Sequence, residues 1–365
     1  YKGEWVEYDD YGDIIAEYDD SFNKNFNGQG YTLKNINMYF HDYSDYAGIF
    51  GEIKNNEIKN LNIDYKGGAL NDNIFYGGAL AGKAINANIH DIALSNFRLN
   101  GFVFGEFFGN FIGEIDGGKY NNIYIKNSNA KSGFADEIKN GEFNNIKIDM
   151  RNPNQIVWGG FAVSIDNGIF KNIEIIHNGL GGSGFSSNIY DGDFRNIKII
   201  GIGKQKGYLQ TGFSRILGNG YFQDILLENF SANIGFGGGV FSTSYGNSSA
   251  KNIIIRNANL GSGFGNIENA ENILLENLTI TRDGFGRAGS AKNITLRNID
   301  FISSVDKGGE TNGFGWVGYA DNILLENIKF IGNKTANGFG NVESGGNIIL
   351  KNITFEKNGL ANGFG

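Results

Sequence analysis

Asn272-Ile273-Leu274-Leu275 decides the fold, because the chain repeats this phrase throughout its length. It returns as Asn252-Ile253-Ile254-Ile255, Asn293-Ile294-Thr295-Leu296 and Asn322-Ile323-Leu324-Leu325. Walking back from Asn347, the anchors are Asn322, Asn293, Asn272, Asn252, Asp224, Asn196, Asn172, Asn145, Asn122, Asp91, Asn60 and Asn35, or 13 copies spaced by 20 to 31 residues. Every anchor is followed by Ile, except that Leu61 stands in one copy. Two places beyond that residue's neighbour the chain is again always aliphatic or Met, from Met38 and Ile63 to Leu325 and Leu350. Apolar residues at alternate positions mark a strand with one buried face. A column kept apolar in every copy means that the copies stack in register.

A second phrase, Gly-Phe, precedes the first at Gly133-Phe134, Gly160-Phe161, Gly184-Phe185, Gly212-Phe213, Gly263-Phe264, Gly284-Phe285, Gly313-Phe314 and Gly338-Phe339. Gly101-Phe102 and Gly239-Val240-Phe241 read as further copies. Glycine permits the positive φ or close backbone approach that a corner needs, and the Phe then points inward. After the first strand come Asn229, Asn257, Asn277, Asn298, Asn327 and Asn352, which read as bends because Asn tolerates the left-handed conformation. Another inward pair follows, as in Ile299/Phe301, Ile328/Phe330 and Ile353/Phe355. A unit of about 25 residues with three short strands and no helical period predicts one coil of a parallel β-helix. The fold class is therefore all-β: a single right-handed parallel β-helix of about 13 rungs, roughly 60 Å long at about 4.8 Å per rung.

Composition agrees. The 365 residues include 57 Gly, 1 Pro and no Cys, so neither a disulfide frame nor a Cys-ligated metal is available. A net charge of −8 argues against a nucleic-acid partner, which calls for basic patches. No apolar run approaches the roughly 18 residues that span a bilayer.

Stacking turns columns into physical objects. The outward column Glu228, Arg256, Glu276, Arg297, Glu326, Lys351 alternates in sign, as does Lys251, Glu271, Lys292, Asp321. Alternation predicts weak surface pairs in place of repulsion. The inward column two places before the anchor changes from Phe143, Phe170, Phe194 and Phe222 to Ala250, Ala270, Ala291 and Ala320. Ring bulk must then move to another wall near residue 240, because interiors stay close-packed. Residues 1–26 match no rung, are rich in Tyr and Asp, and read as an N-terminal cap. The β-helix then occupies 27–365 and stops inside a repeat at Asn362-Gly363-Phe364-Gly365, so further rungs or another domain are expected to follow.

The phrase Gly48-Ile49-Phe50-Gly51-Glu52-Ile53-Lys54-Asn55-Asn56-Glu57-Ile58-Lys59-Asn60-Leu61 resembles the GLUG-type repeats of large secreted bacterial surface proteins. With the Asn/Gly richness and absence of Cys, the chain resembles an autotransporter passenger or a filamentous-haemagglutinin-like adhesin. The resemblance implies a secreted or cell-surface protein exposed at the bacterial outer membrane, and a role in adhesion or aggregation and thereby in virulence. It implies as partners a host-cell or bacterial surface protein or glycan, or self-association. Asn152-Pro153-Asn154-Gln155-Ile156 is similar to a motif of two-partner secretion domains, though far from the N-terminus.

Chemistry is sparse. A polysaccharide lyase or glycosidase is the enzymatic alternative, and glycoside hydrolysis needs two carboxylates about 5 to 9 Å apart. Asp191 and Asp193, at i and i+2 of an extended segment, could face one way at that spacing. A turn with two acids is the simpler reading, since the Gly-His-Gly and Arg-Ile-Lys of galacturonase-like enzymes are missing. His41, His90 and His177 read as surface residues in separate rungs, with no metal or cofactor site. A stalk for a domain outside this chain is a third possibility. Binding is expected in loops or the Tyr-rich N-terminal third, since 10 of the 17 Tyr lie before residue 77. The Asn-Ile-x-Leu face, alternating in charge, is expected to offer no apolar patch of the size partner sites usually have.

Overall fold

The computed structural model describes residues 21–37, 44–65, 69–70, 74–99, 107–151, 157–178, 181–202, 209–238, 248–302, 310–332, 335–356 and 359–362. Among these the chain is all-β with no helix, a parallel β-solenoid of about ten turns. It divides into two compact units, Tyr1–Ile175 and Ile176–Gly365. Residues 1–20 of the expected cap lie outside the described residues, as do His41, Gly101-Phe102, 152–156, Val240-Phe241 and Phe364. Phe22 and Phe26, within the stretch read as a cap, pair in parallel with Ile53 and Ile58.

Every one of the 13 anchors has a left-handed backbone, with φ between 52 and 59°. The anchor is therefore a corner in its own right, and the strand begins one residue later. The second Asn stands five places on and is also left-handed, as at Asn257, Asn277, Asn298, Asn327 and Asn352. Two such bends isolate a four-residue side that reads in, out, in, out. Ile273 and Leu275 are at most 1% exposed, with Leu274 and Glu276 facing outward. Residues with short polar side chains are the non-glycine types that visit this conformation most readily, which explains why only Asn or Asp fills the column.

Stacking makes these corners reinforce one another. Asn272 Nδ2 donates to Asn252 Oδ1 at 3.0 Å, Asn293 to Asn272 at 2.9 Å, and Asn322 to Asn293 at 2.7 Å. The second corner carries its own ladder, Asn298 to Asn277 at 3.1 Å, Asn327 to Asn298 at 2.9 Å and Asn352 to Asn327 at 2.9 Å. The amide thus satisfies its neighbour while holding its own backbone bend.

In the first unit the interior is a herringbone of rings. Phe134 and Phe161 stack at 4.8 Å, Phe143 and Phe170 at 4.7 Å, and Phe134 meets Phe143 edge-on at 5.9 Å and 90°. Phe111, behind Asn110, heads this stack at 5.0 Å from Phe134. In the second unit the Gly-Phe stack runs Phe213, Phe236, Phe264, Phe285, Phe314 with each step 4.9–5.0 Å. Gly235-Phe236 is thus a copy of the phrase beside those read from the sequence. Phe222 still meets Phe236 edge-on, but Ala250, Ala270, Ala291 and Ala320 follow it, and the rings reappear as Phe301–Phe330 at 4.7 Å and Phe330–Phe355 at 5.0 Å. The glycine before each Phe serves close approach: a Cβ on Gly263 would lie 1.8 Å from the Gly284 carbonyl oxygen.

The charge ladder forms ion pairs two by two: Arg256 with Glu228 at 2.8 Å, Arg297 with Glu276 at 2.5 Å, and Lys351 with Glu326 at 2.5 Å. Beside it, the outward x position of Asn-Ile-x-Leu is aliphatic on five of the six turns from Leu226 to Ile349, Thr295 being the sixth, and Ile254 and Ile349 are 37% and 55% exposed.

Two outcomes follow for stability in urea. Ile273→Asp leaves a carboxylate among apolar rungs and costs several kcal/mol, on the order of the burial penalty of an unpaired polar group; a change below about 0.5 kcal/mol, the size of surface substitutions, would show that the column is not interior. Asn293→Ala costs about 1–2 kcal/mol for the left-handed bend and more than Asn293→Gly, which needs no such strain; an Ala variant as stable as the Gly variant would contradict the corner.

Candidate functional site

The charged residues that the structure gathers most tightly lie in the first unit. Successive turns place Glu52, Lys83, Glu114 and Glu137 in one outward column, partner to partner. A further three-stranded layer covers this column, made of Ser44–Ala47, Ile74–Gly77 and Phe107–Phe108. Its register aligns Tyr46 with Tyr76 and Tyr76 with Phe107. The layer can approach because the underlying strands have glycine there: a Cβ on Gly82 would lie 2.6 Å from Ala47 N and Tyr76 O, and one on Gly113 2.8 Å from Gly77 N.

The result is a ladder of half-buried rings over a buried ion cluster. Tyr46 and Tyr76 stack at 5.4 Å, Tyr76 and Phe107 at 4.8 Å, and Phe75 leans on Phe107 at 5.6 Å. Lys83 Nζ lies 5.6 Å from the Tyr46 ring centre and 5.9 Å from that of Tyr76, within cation–π range. Glu114, whose side chain is 1% exposed, receives Lys139 Nζ at 2.7 Å and Lys83 Nζ at 3.3 Å on Oε1. Its Oε2 is buried without a hydrogen-bond partner.

Protonation follows from these contacts. Burial by itself raises the Glu114 pKa, but the Lys139 hydrogen bond and the charges of Lys83 and Lys139 outweigh it and hold the carboxyl below its usual range. Burial, followed by the Glu114 charge, pushes both the Glu137 carboxyl and the Tyr76 phenol up. A low and a high carboxyl on adjacent turns have the protonation pattern of an acid–nucleophile pair. Geometry argues otherwise, because a carboxylate enclosed by two ammonium groups and a ring cannot approach a substrate. Glu114 instead fixes Lys83 beneath the rings, and the accessible part of the site is the ring ladder. Because the rings cover one another's faces, the ladder presents a rigid aromatic ridge, which can pack against sugars or partner side chains.

The acids singled out from the sequence are placed elsewhere and apart from this cluster. Asp191 is exposed and its Oδ1 accepts the Gly192 N–H at 2.7 Å. Asp193 Oδ1 binds Arg195 Nε at 2.6 Å, and that guanidinium lies 5.3 Å over the Tyr221 ring. Each carboxylate thus has its own local partner. His90 is half-exposed between Asp91 at 2.8 Å and Glu57 at 3.2 Å; burial opposes its charge, but these two contacts raise its pKa. His177 is not at the surface: it is 2% exposed, and burial pushes it down to about 4. The ring ladder was missed in sequence although a signal exists. Gly51, Gly82 and Gly113 recur every 31 residues, and Tyr46, Tyr76 and Phe107 recur with nearly the same step.

No family model, curated protein or solved structure matches the chain. No helix of the described residues is long and apolar enough to cross a membrane.

Asp136 gives this unit a pH signature. It is buried, its Oδ1 has no hydrogen-bond partner, and Lys131 Nζ stands 3.8 Å from the other oxygen. Burial pushes its pKa up to about 7 from 3.8. A folded pKa above the unfolded one contributes stability that is present below about 4 and lost as pH rises through about 7. Asp136→Asn should therefore flatten the fall in melting temperature between pH 4 and 7 and leave the variant more stable than the parent at pH 8. A parent and variant with parallel pH profiles would contradict the assignment.

Proposed function

We propose that the chain is a non-enzymatic β-helical passenger of the bacterial surface, secreted and displayed at the outer membrane, that mediates adhesion or cell–cell aggregation. The finer architecture belongs to this reading: a right-handed helix in which each of the thirteen sequence copies forms one rung of three short strands. The observation that supports it best is the Tyr46–Tyr76–Phe107 ladder, half-exposed and braced from beneath by Lys83 and Glu114. A rigid aromatic ridge held on a repeating scaffold suits extended, multivalent contact, where many weak encounters add through effective concentration. A surface protein or a glycan, of host or bacterium, is the partner such a ridge fits. The test compares bare cells, cells displaying the full chain, and cells displaying Tyr46→Ala/Phe107→Ala. The full chain should raise attachment to host cells or immobilised glycans several-fold, and the double variant should lose most of that gain. Equal attachment of all three, with purified chain releasing reducing ends from a polysaccharide, would contradict the reading in favour of a carbohydrate-active enzyme.

A further inference from the structure

The aliphatic stripe of the second unit has a definite composition and a definite edge. Leu226, Ile254, Leu274, Thr295, Leu324 and Ile349 follow one another in register on six successive turns, all facing outward. Two residues further along each strand runs the column Glu228, Arg256, Glu276, Arg297, Glu326, Lys351, in the same register. The columns are thus about 7 Å apart, and six turns extend for about 24 Å.

The signs of the charge column read − + − + − +, and reversing its direction gives + − + − + −. A two-fold axis lying in the face along the strands reverses the turn order while keeping like column over like column. Every charge then meets its opposite: Glu228 faces Lys351 of the second copy, Arg256 faces Glu326, and Glu276 faces Arg297. The same operation puts Leu226 over Ile349, Ile254 over Leu324 and Leu274 over Thr295. A two-fold axis along the ladder would set each charge on its like, and a slip of one turn in the reversed arrangement would do the same. Like charges juxtaposed across an interface cost several kcal/mol, so electrostatics selects one orientation and one register.

We infer that this face is a self-association surface whose occupant is a second copy of the chain, turned antiparallel so that its aliphatic stripe and charge column cover their own counterparts. The inference rests on the surface-aggregation reading and gives it a partner and a geometry. A stripe of about 24 Å by about 12 Å covers roughly 300 Å² per copy, well under the roughly 800 Å² per partner of stable complexes. Single contacts are therefore weak, and density of display makes them count.

The test uses the full chain coupled to beads at high density, with melting temperatures measured for each variant. Glu276→Arg/Arg297→Glu changes the column to − + + − − +, which still complements its own reverse. Arg256→Glu/Glu276→Arg changes it to − − + + − +, which sets like on like at four of the six positions. Both swaps keep net charge and composition, and each creates two pairs of like-charged neighbours within the column. Wild-type and Glu276→Arg/Arg297→Glu beads should clump at low salt and disperse as salt rises, whereas Arg256→Glu/Glu276→Arg beads should stay dispersed. A second pair guards against misfolding: Ile254→Lys beads and Leu324→Glu beads should each fail to clump alone and clump when mixed. Wild-type beads that stay dispersed, two swaps that behave alike, or a mixture that stays dispersed would overturn the surface. Such a failure leaves attachment of displaying cells to foreign surfaces untouched. Displaying cells that attach no better than bare ones would remove the adhesion reading and leave the bead result standing.

Discussion

Everything in this fold depends on a backbone that turns left-handed at fixed places and stacks those turns in register. The asparagine column supplies both. A left-handed residue costs most side chains about 1–2 kcal/mol, and Asn or Asp reduces that cost through local polar contacts. In a solitary hairpin such a bend would be a local preference. Here, from Asn252 to Asn322, each amide also donates to the anchor one turn back, so the corner and the ladder support one another. The apolar pair between two corners then has nowhere to go but inward. Register propagates from the corners to the interior rings, and from the rings to the outward charges.

That propagation explains why the outer sides of the coil can carry different chemistry in the two units without altering the frame. Stacked rings fill the interior as a herringbone as far as Phe222 and Phe236, and alanines with displaced phenylalanines fill it from Ala250 onward. Outside, glycines at a 31-residue step let an extra layer of strands settle on the first unit and carry Tyr46, Tyr76 and Phe107. In the second unit the aliphatic side chains of the Ile254 column, on the side that follows the anchor, face outward beside paired charges. A solenoid tolerates such variation because each turn interacts chiefly with its neighbours.

Much of the fold could be read from residues because stacking makes columns identical in chemistry. The inward Ile/Leu pairs, the second Asn bend, the shift of ring bulk and the charge alternation all sit where periodicity placed them. The anchor Asn was read only as the first word of a strand, since its left-handed backbone leaves no mark in an apolar pattern. Phe111 and Phe236 join the ring stack without having been read as copies of Gly-Phe, because ring stacking is set by spatial register and loop lengths vary between copies. The candidate site was less legible. His177 reads as a surface residue and is buried, and the Glu114 cluster joins residues from three separate segments whose contact depends on a covering layer. Alternation of Leu274 and Ile254 with inward neighbours also conceals an apolar stripe from any count that looks at one face alone.

Register between turns is the central claim, and a chain without cysteine allows it to be measured chemically. Thr279 and Asp300 are in-register neighbours on adjacent turns, and both side chains reach the surface to some degree. Stacked strands put such residues about 5 Å apart at Cα, inside the range a disulfide spans. The double variant Thr279→Cys/Asp300→Cys should close an intramolecular disulfide under mild oxidation, while Thr279→Cys/Ile302→Cys, displaced by two residues, should remain a dithiol. Cross-linking of the displaced pair in preference to the aligned one, or of neither, would contradict in-register stacking and the account built on it.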